Sequence, residues 1–310
     1  MESAPCHWAI AEGDEDRMTD VTLEPQAMEQ LMAALRPRLH RYCARMVGSA
    51  VDGEDVVQEA LAKAAAALPA AGAIDRPESW LFRIAHNTAL DALRRRKRQP
   101  ATRSDLGLAG FADSGAAADS RVAVTAGLAT LLRLPVAQRS CLVLIDVLGH
   151  SLAETTEILD VSLPAVKAAL HRARARLREL ADAPDQPAPG LAPAERERLR
   201  AYADRFNARD FDALRALLAE DVRLDLVNRV RLAGRKDVSV YFDRYSQAAP
   251  WRLSPGLAEG RPALLASDPA DAAGDIVFVI LLDWSNGRIA AIRDFHYATY
   301  VMETLAVTRL

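Results

Sequence analysis

Two clusters of cationic side chains are the strongest chemical signal in this chain. The first is the run Arg94-Arg-Arg-Lys-Arg98, and the second is spread over residues 163–178, which contain no Asp or Glu. The second cluster consists of Lys167, His171, Arg172, Arg174, Arg176 and Arg178. Cations at this density bind phosphate groups, so both clusters predict contact with a polyanion such as nucleic acid. A solvated basic helix face is the alternative explanation for each cluster.

Aromatic and polar side chains precede the first cluster. They are Trp80, Phe82, Arg83, His86, Asn87 and Asp91. An aromatic ring for stacking, next to hydrogen-bonding groups and cations, is what binding of unpaired bases requires. Trp80 is equally suited to ordinary core packing, and the two roles are compatible.

A helix-turn-helix pattern positions the second cluster. Residues 152–159 have an apolar side, Asp160-Val161 forms a short turn, and Ser162 followed by Pro164 starts a second helix. In this motif the second helix enters the major groove with its first turns at the base edges. An ordinary pair of amphipathic helices is the alternative for this segment.

Three helices are predicted to carry the first cluster. Apolar spacing predicts one over residues 28–46 and another from Asp52, as the capping residue, to about residue 68. Pro77 suits the first turn of the third, over residues 78–98. The small and polar residues of 99–120 then predict a flexible linker.

The last third of the chain has a different pattern, that of an α+β domain. Two helices are predicted, over residues 193–208 and 211–219, and Asn286-Gly287 is a strong hairpin signal. The β-rich runs are 222–227, 276–284 and 289–297. The predicted division is an acidic unstructured tail at 1–25, a helical domain at 26–98, a linker at 99–120, a helix-turn-helix domain at 121–181, a Pro-rich linker at 182–190 and the α+β domain at 191–310.

Composition excludes several classes of protein. Of the 310 residues, 50% are hydrophobic and 26% are charged, which is typical of globular domains and not of disordered chains. The longest apolar run, residues 276–282, is far shorter than the roughly 20 residues that span a bilayer, so no membrane insertion is expected. The three cysteines Cys6, Cys43 and Cys141 lack the spacing of a zinc site or a disulfide framework. We therefore expect a cytoplasmic protein with no metal and no cofactor.

Charge is segregated along the chain. Residues 1–30 hold eight acids and one arginine, whereas residues 36–103 hold thirteen Lys or Arg and seven acids. Residues 191–310 carry seventeen charges of each sign. This asymmetry predicts a polyanionic partner for the middle of the chain and a different role for its end.

In order and content these segments resemble the small extracytoplasmic-function type of bacterial RNA polymerase sigma factor. Gly53-Glu-Asp-Val-Val-Gln-Glu-Ala60 is similar to the family's polymerase-docking helix, and the helix from Arg76 to Arg95 is similar to its promoter-melting helix. Leu134-Pro-Val-Ala-Gln-Arg139 and the helix-turn-helix resemble its reader of the upstream promoter element. The resemblance covers about residues 27–98 and 121–181.

The resemblance implies a role for each matching residue. The residues implied to contact the polymerase are Asp55, Gln58 and Glu59. Those implied to hold or support the opened promoter strand are Trp80, Arg83, Asn87, Asp91, Arg94 and Arg95. Those implied to contact upstream duplex are Lys167, His171, Arg172 and Arg174. Pairing of Glu59 with Lys63 on the helix surface is an alternative for the acidic segment, and Ala168-Ala169 and Thr155-Thr156 depart from the family pattern, so base preference is not predicted.

The end of the chain resembles the SnoaL-like, cone-shaped α+β domains related to nuclear transport factor 2. Residues 200–222 are similar to the opening of that fold and residues 289–297 to its closing strand. Some members are isomerases or cyclases, for which Asp225, Asp294, His296, Tyr241 and Tyr245 are the candidate residues here. We expect these residues to have structural roles and the domain to regulate the sigma domains, with a small molecule or a protein as its regulator.

The expected function is that of a polymerase sigma factor, which is not an enzyme. It would bind core RNA polymerase, recognise promoter DNA and initiate transcription. One alternative is a one-component helix-turn-helix regulator with a ligand-sensing C-terminal domain, which would bind duplex DNA without polymerase. Another is an enzyme built on the cone-shaped domain, which the lack of a tight catalytic set disfavours.

Overall fold

The computed structural model describes residues 25–98, 127–181, 191–248 and 250–310. The predicted tail, up to residue 24, and the two predicted linkers, 99–120 and 182–190, lie outside these ranges. Pro25, expected to end the tail, begins the first helix.

Three helices form the first part of the molecule. They are α1 (Pro25–Val47), α2 (Ala50–Ala67, followed by a 3₁₀ turn at Leu68–Ala70) and α3 (Pro77–Arg98). Gly48 adopts a left-handed φ of 78° between α1 and α2, a conformation that glycine accepts without strain. Ser49 then caps α2 by accepting a hydrogen bond from the Asp52 amide at 3.0 Å. The expectation that Asp52 is the cap was wrong, because Asp52 already lies in the first helical turn.

Four more helices form the second part. They are α4 (Leu128–Leu132), α5 (Val136–Leu142, continued by a π-helical turn at Val143–Val147), α6 (Leu152–Leu159) and α7 (Leu163–Ala181). Ser151 and Glu154 form a reciprocal capping box at the start of α6. Asp160 turns the chain with a φ of 55°, so α6 and α7 form the predicted helix-turn-helix.

The last part of the chain packs three helices against a sheet. The helices are α8 (Pro193–Asn207), α9 (Phe211–Ala216) and α10 (Arg235–Gln247), with a 3₁₀ turn at Thr299–Glu303. The strands are β1 (Leu218–Leu226), β2 (Val230–Ala233), β3 (Arg252–Ala258), β4 (Arg261–Ser267), β5 (Ile276–Ser285), β6 (Arg288–Asp294) and β7 (Val307–Arg309). The expected combination of two helical domains and an α+β domain is confirmed.

Among the described residues the strands form one sheet in the order β2-β1-β6-β5-β4-β3-β7. The β1–β6 pair is parallel and the other neighbours are antiparallel. Asn286 and Gly287 both have positive φ in the β5–β6 hairpin, as the sequence signal required. Strands β3 and β4 were not predicted, because Pro255, Gly256 and Pro262 argue against regular strands.

The hydrophobic cores cross the boundaries between the three parts. Val143, Leu144 and Ile158 of the second part are buried in the same cluster as the core of α1–α3. Ala50 and Val51 of α2 are buried in the cluster that fills the C-terminal domain. The first part is therefore packed against both of the others.

No helix in the described ranges combines the length and the apolar character needed to cross a membrane.

Candidate functional site

One face of α2 meets the C-terminal domain. Asp52, Asp55 and Gln58 follow one another at three-residue spacing, which puts them on the same side of the helix. Each is contacted by an arginine of the C-terminal domain. Arg261 donates to Asp52 at 2.7 Å, Arg293 donates to both carboxylate oxygens of Asp55 at 2.7 and 2.9 Å, and Arg231 donates to Gln58.

Two of these arginines are aligned by the sheet. Asp225 of β1 is the register partner of Arg231 on β2 and of Arg293 on β6. Its carboxylate lies 3.3 Å from Arg231 and 3.6 Å from Arg293. The carboxylate therefore holds two guanidinium groups side by side on adjacent strands, facing α2. Asp225, a candidate for chemistry in the sequence, has this positioning role.

The N-terminus of α2 is capped by the tip of the β3–β4 hairpin. Glu259 accepts hydrogen bonds from the Ser49 hydroxyl and from the Ala50 amide, both at 2.5 Å. A carboxylate at this position satisfies an otherwise unpaired amide and interacts favourably with the helix dipole. Burial raises the pKa of Glu259, and these two hydrogen bonds oppose that shift.

A fully buried carboxylate joins the same two parts from within. Glu54 of α2 is 0% exposed. It accepts a hydrogen bond from the Tyr300 hydroxyl at 2.9 Å and forms an ion pair with Arg36. Arg36 also donates to the Tyr300 hydroxyl at 2.7 Å. Burial and the negative charge of Glu54 raise the pKa of Tyr300. This phenol therefore remains a neutral donor.

The third residue expected to bind polymerase, Glu59, lies outside the interdomain contact. It pairs with Lys63 at 2.8 Å and with Arg95 of α3 at 2.7 Å. Hydrogen bonds from Arg95 and Lys63 lower the pKa of Glu59. The Glu59–Lys63 pair considered as an alternative is thus present, and the structure brings Glu59 together with Arg95, one of the expected DNA contacts.

Helix α3 presents its expected DNA contacts on a side that is partly covered. Arg83 and Asn87 are exposed at one-turn spacing, and Trp80 is half-buried against the core of α1–α3. Arg83 donates to the backbone carbonyl of Glu157 in α6, and Arg76 pairs with the Glu157 carboxylate. Helix α6 therefore occupies part of the surface next to the expected strand-binding residues.

The remaining expected contacts of α3 lie towards its basic end. Asp91 pairs with Arg94 at 3.1 Å, and Arg94 and Arg95 are both exposed. In this region Asp91 positions a cation and is not placed as a group for binding the negatively charged DNA backbone.

Helix α7 separates its basic residues into two groups. Lys167, His171 and Arg172 are exposed, and Lys167 and His171 are one turn apart. Arg174 instead points into the second part of the molecule and forms a bidentate pair with Asp146 at 2.6 and 2.9 Å. The side chain of Asp146 is 2% exposed, so the pair belongs to the packing of the helix-turn-helix.

The candidate chemical residues of the C-terminal domain form a buried polar group. Tyr241 and Tyr245 donate to Asp294 at 2.8 and 2.7 Å, and the His296 amide donates to it at 2.8 Å. Asp294 is 0% exposed, and burial raises its pKa and those of both tyrosines. These hydrogen bonds satisfy a carboxylate within the core, which is a structural role.

Sequence reasoning missed the C-terminal half of the contact with α2. Arg231, Glu259, Arg261 and Tyr300 lie in no motif, and Arg293 lies in the expected closing strand but was not a candidate residue. The role of each residue can be recognised only from its contact with α2 in the folded protein. A charge count of seventeen acids and seventeen bases gave no sign that several arginines share one surface.

Comparisons with known proteins match the helical parts of the chain. Residues 31–99 match the family model for Sigma-70 region 2, and residues 128–177 match the model for Sigma-70, region 4. The ECF RNA polymerase sigma factor SigM of Mycobacterium tuberculosis is 34% identical over 154 residues, which are 50% of this chain and 76% of that protein.

Two solved structures also resemble the chain. Extracytoplasmic function sigma factor SigJ of Mycobacterium tuberculosis has a TM-score of 0.34 and 22% identity, with coverage of 86% of this chain and 95% of that chain. A candidate polyketide cyclase of Xanthomonas campestris pv. campestris has a TM-score of 0.25 and 21% identity, covering 36% of this chain and 98% of that chain.

The two sigma-70 regions occur in the order that the sequence motifs indicated, and the match to SigM extends over 76% of that protein. The one-component regulator is not favoured, because such a protein has no need of a region 2. The chain belongs to the extracytoplasmic-function (ECF) family of RNA polymerase sigma factors.

Proposed function

We propose that this chain acts in the cytoplasm as a promoter-specificity subunit that binds core RNA polymerase and promoter DNA. The observation that carries the proposal is the ordered match to sigma-70 regions 2 and 4 on two separate helical groups. Residues 26–98 would bind polymerase and open the promoter, and residues 121–181 would bind the upstream duplex.

The geometry supports distinct roles for the three elements. Asp55 and Gln58 share the face of α2 that would dock on the polymerase, with Glu59 beside them. Arg83 and Asn87 lie on α3, where Trp80 supports them from the core and Arg94 and Arg95 supply positive charge. Trapping an unpaired base costs a few kcal/mol of unstacking, which stacking and hydrogen bonds to such residues would return.

Helix α7 would bind the upstream duplex with Lys167, His171 and Arg172. Their exposure on one helix supports contact with DNA. Arg174 would instead fix the position of α7 through Asp146.

Residues 191–310 would regulate the two sigma regions and would not catalyse a reaction. The support is their contact with α2 and the closed hydrogen bonding around Asp294.

The test is transcription in vitro from fragmented genomic DNA with core polymerase, with and without the full-length chain. We expect new RNA 5′ ends that require the chain, and their loss when Lys167 and Arg172 are both replaced by Ala. Duplex binding by the chain without any new start site would contradict the proposal and favour the one-component regulator.

A further inference from the structure

The C-terminal domain covers the same face of α2 that the proposed function assigns to polymerase. Asp52, Asp55 and Gln58 lie on that face, and Arg261, Arg293 and Arg231 contact them in the same order along the helix. We refer to these three arginines and Glu259 as the arginine clasp. The clasp thus engages Asp52, Asp55 and Gln58 through its arginines and the N-terminus of α2 through Glu259.

The clasp presents positive charge to α2, as any protein surface that binds this acidic helix must do. A surface that docks on Asp52 and Asp55 has to present positive charge, and bidentate guanidinium groups are the strongest donors for carboxylates. Arg293 makes such a bidentate contact with Asp55. A second basic surface cannot occupy these carboxylate oxygens at the same time.

The contact between α2 and the C-terminal domain includes more than exposed charge pairs. Other residues hold the arginines in position, cap the helix and bury apolar side chains. Asp225 fixes the separation of Arg231 and Arg293, and Glu259 caps α2 with two hydrogen bonds. Ala50 and Val51 of the same helix are buried in the core of the C-terminal domain. Apolar burial therefore supplies affinity, and the arginines determine which helix face is bound.

We propose that the arginine clasp is an intramolecular docking surface for the acidic face of α2, and that it competes with core polymerase for that face. The proposal rests on the proposed function, because it assumes that α2 is the polymerase-docking helix. While the clasp contacts α2, polymerase cannot bind that face. The apparent affinity for polymerase would therefore be the intrinsic affinity multiplied by the fraction of molecules in which the clasp is released. Occupancy of the clasp would then set the activity of the sigma factor.

The experiment compares full-length chains. The first variant is R231A/R261A/R293A, which removes the three guanidinium groups and leaves α2 intact. Its matched control is R196A/R200A/R252A, which removes three exposed arginines of the same domain that form no hydrogen bond or ion pair with α2. A third variant, R261E, changes one half-exposed residue at the hairpin and places a carboxylate opposite Asp52.

Two quantities are measured on each chain, after circular dichroism has shown a wild-type fold. One is the dissociation constant for core polymerase, and the other is amide hydrogen exchange over residues 50–58 in the free chain. Two partly exposed ion pairs and the hydrogen bond from Arg231 to Gln58 together predict a rise in polymerase affinity of about tenfold for the triple variant. R261E should give a rise of about threefold, since it loses one pair and gains repulsion. Exchange should be faster in both clasp variants and unchanged in the control.

The outcomes separate the two proposals. A folded clasp variant that binds polymerase no more tightly than the control, while the wild type binds and initiates transcription, overturns the competition and leaves the sigma function intact. Failure of the wild type, the control and the variants alike to bind core polymerase overturns the proposed function and the competition together. If the triple variant does not fold, R261E decides the matter by the same two measurements.

Discussion

At the scale of single residues, burial without a charged partner keeps one histidine of α3 neutral. His86 of α3 is 8% exposed, and burial lowers its pKa to about 4. Its Nδ1 lies 2.7 Å from the hydroxyl of the fully buried Tyr42. Burial removes water from the imidazole and disfavours its charged form, so the folded state favours the neutral ring.

This histidine predicts acid sensitivity of the region 2 helices. Between the ordinary pKa of about 6.5 and the folded value of about 4, the unfolded chain binds the proton and the folded chain does not. The stabilisation is therefore fully present above pH 6.5 and is lost as the pH falls towards 4. The loss between pH 7 and pH 5 should be about 2 kcal/mol.

Replacement of His86 by Gln should remove that part of the pH dependence. The measurement is the midpoint of thermal unfolding for the wild type and H86Q at pH 7, 6 and 5. Some dependence should remain, since burial also lowers the pKa of His40 and His150. Equal slopes in the two proteins would show that His86 is not kept neutral by the fold.

At the scale of elements, α7 has two functions on two sides. Lys167, His171 and Arg172 point outwards, and Arg174 pairs inwards with Asp146. The structure thus divides a basic run that is continuous in sequence. Lys167 and Arg172 are exposed to solvent on the outward side, whereas Arg174 is engaged by a buried carboxylate.

The opposite orientations of Arg172 and Arg174 on α7 predict different effects when each is replaced by Ala. R172A should weaken upstream-duplex binding on all sequences and reduce the slope of log affinity against log salt by about one unit. R174A should cost about 3 kcal/mol of unfolding free energy, because it removes a bidentate partner of a buried carboxylate.

Salt titrations of duplex affinity and urea unfolding of both variants make the comparison. A lower salt slope in R174A at wild-type stability would place Arg174 on DNA, as the family resemblance alone implied. In that case the Arg174–Asp146 pair would not persist in solution.

At the scale of the whole molecule, the region 2 and region 4 helices are closed on each other. Ile158 of α6 is 1% exposed within the core of α1–α3, and Arg83 of α3 is held by the Glu157 carbonyl. A promoter strand that binds the Arg83 guanidinium therefore has to replace its hydrogen bonds to α6. Contacts with polymerase and DNA would supply the free energy needed to separate α6 from α3.

Opening of this kind predicts a longer distance between the two helical groups in the promoter complex. Dyes on cysteines introduced at the exposed residues Lys97 and Arg133, in a C6S background, would report it. The native Cys43 and Cys141 are buried, and burial raises the pKa of both thiols, so they should label slowly. Energy transfer should fall when core polymerase and promoter are added, and should stay unchanged with core polymerase and a promoter-free duplex. An unchanged distance in the promoter complex would mean that the α3–α6 contact persists there.

Much of the fold was predictable because its signals are local. Helical spacing predicted α1–α3, the apolar side of residues 152–159 with the Ser162 cap predicted the helix-turn-helix, and Asn286-Gly287 predicted the β5–β6 hairpin. Strands β3 and β4 were missed, because their prolines and glycine contradict strand propensity and only pairing across the sheet overrides it. Helix α10 was missed as well.

The family, the order of its two sigma regions and the α+β class of the last domain could be predicted, since each depends on residues close together in the chain. Which of their surfaces are covered depends on the packing of the three parts against one another. Asp55 meets Arg293 across 238 positions of sequence, and Ala50 meets Glu259 across 209. Such contacts depend on the docking of whole domains, so no local spacing or propensity encodes which side chains they bring together.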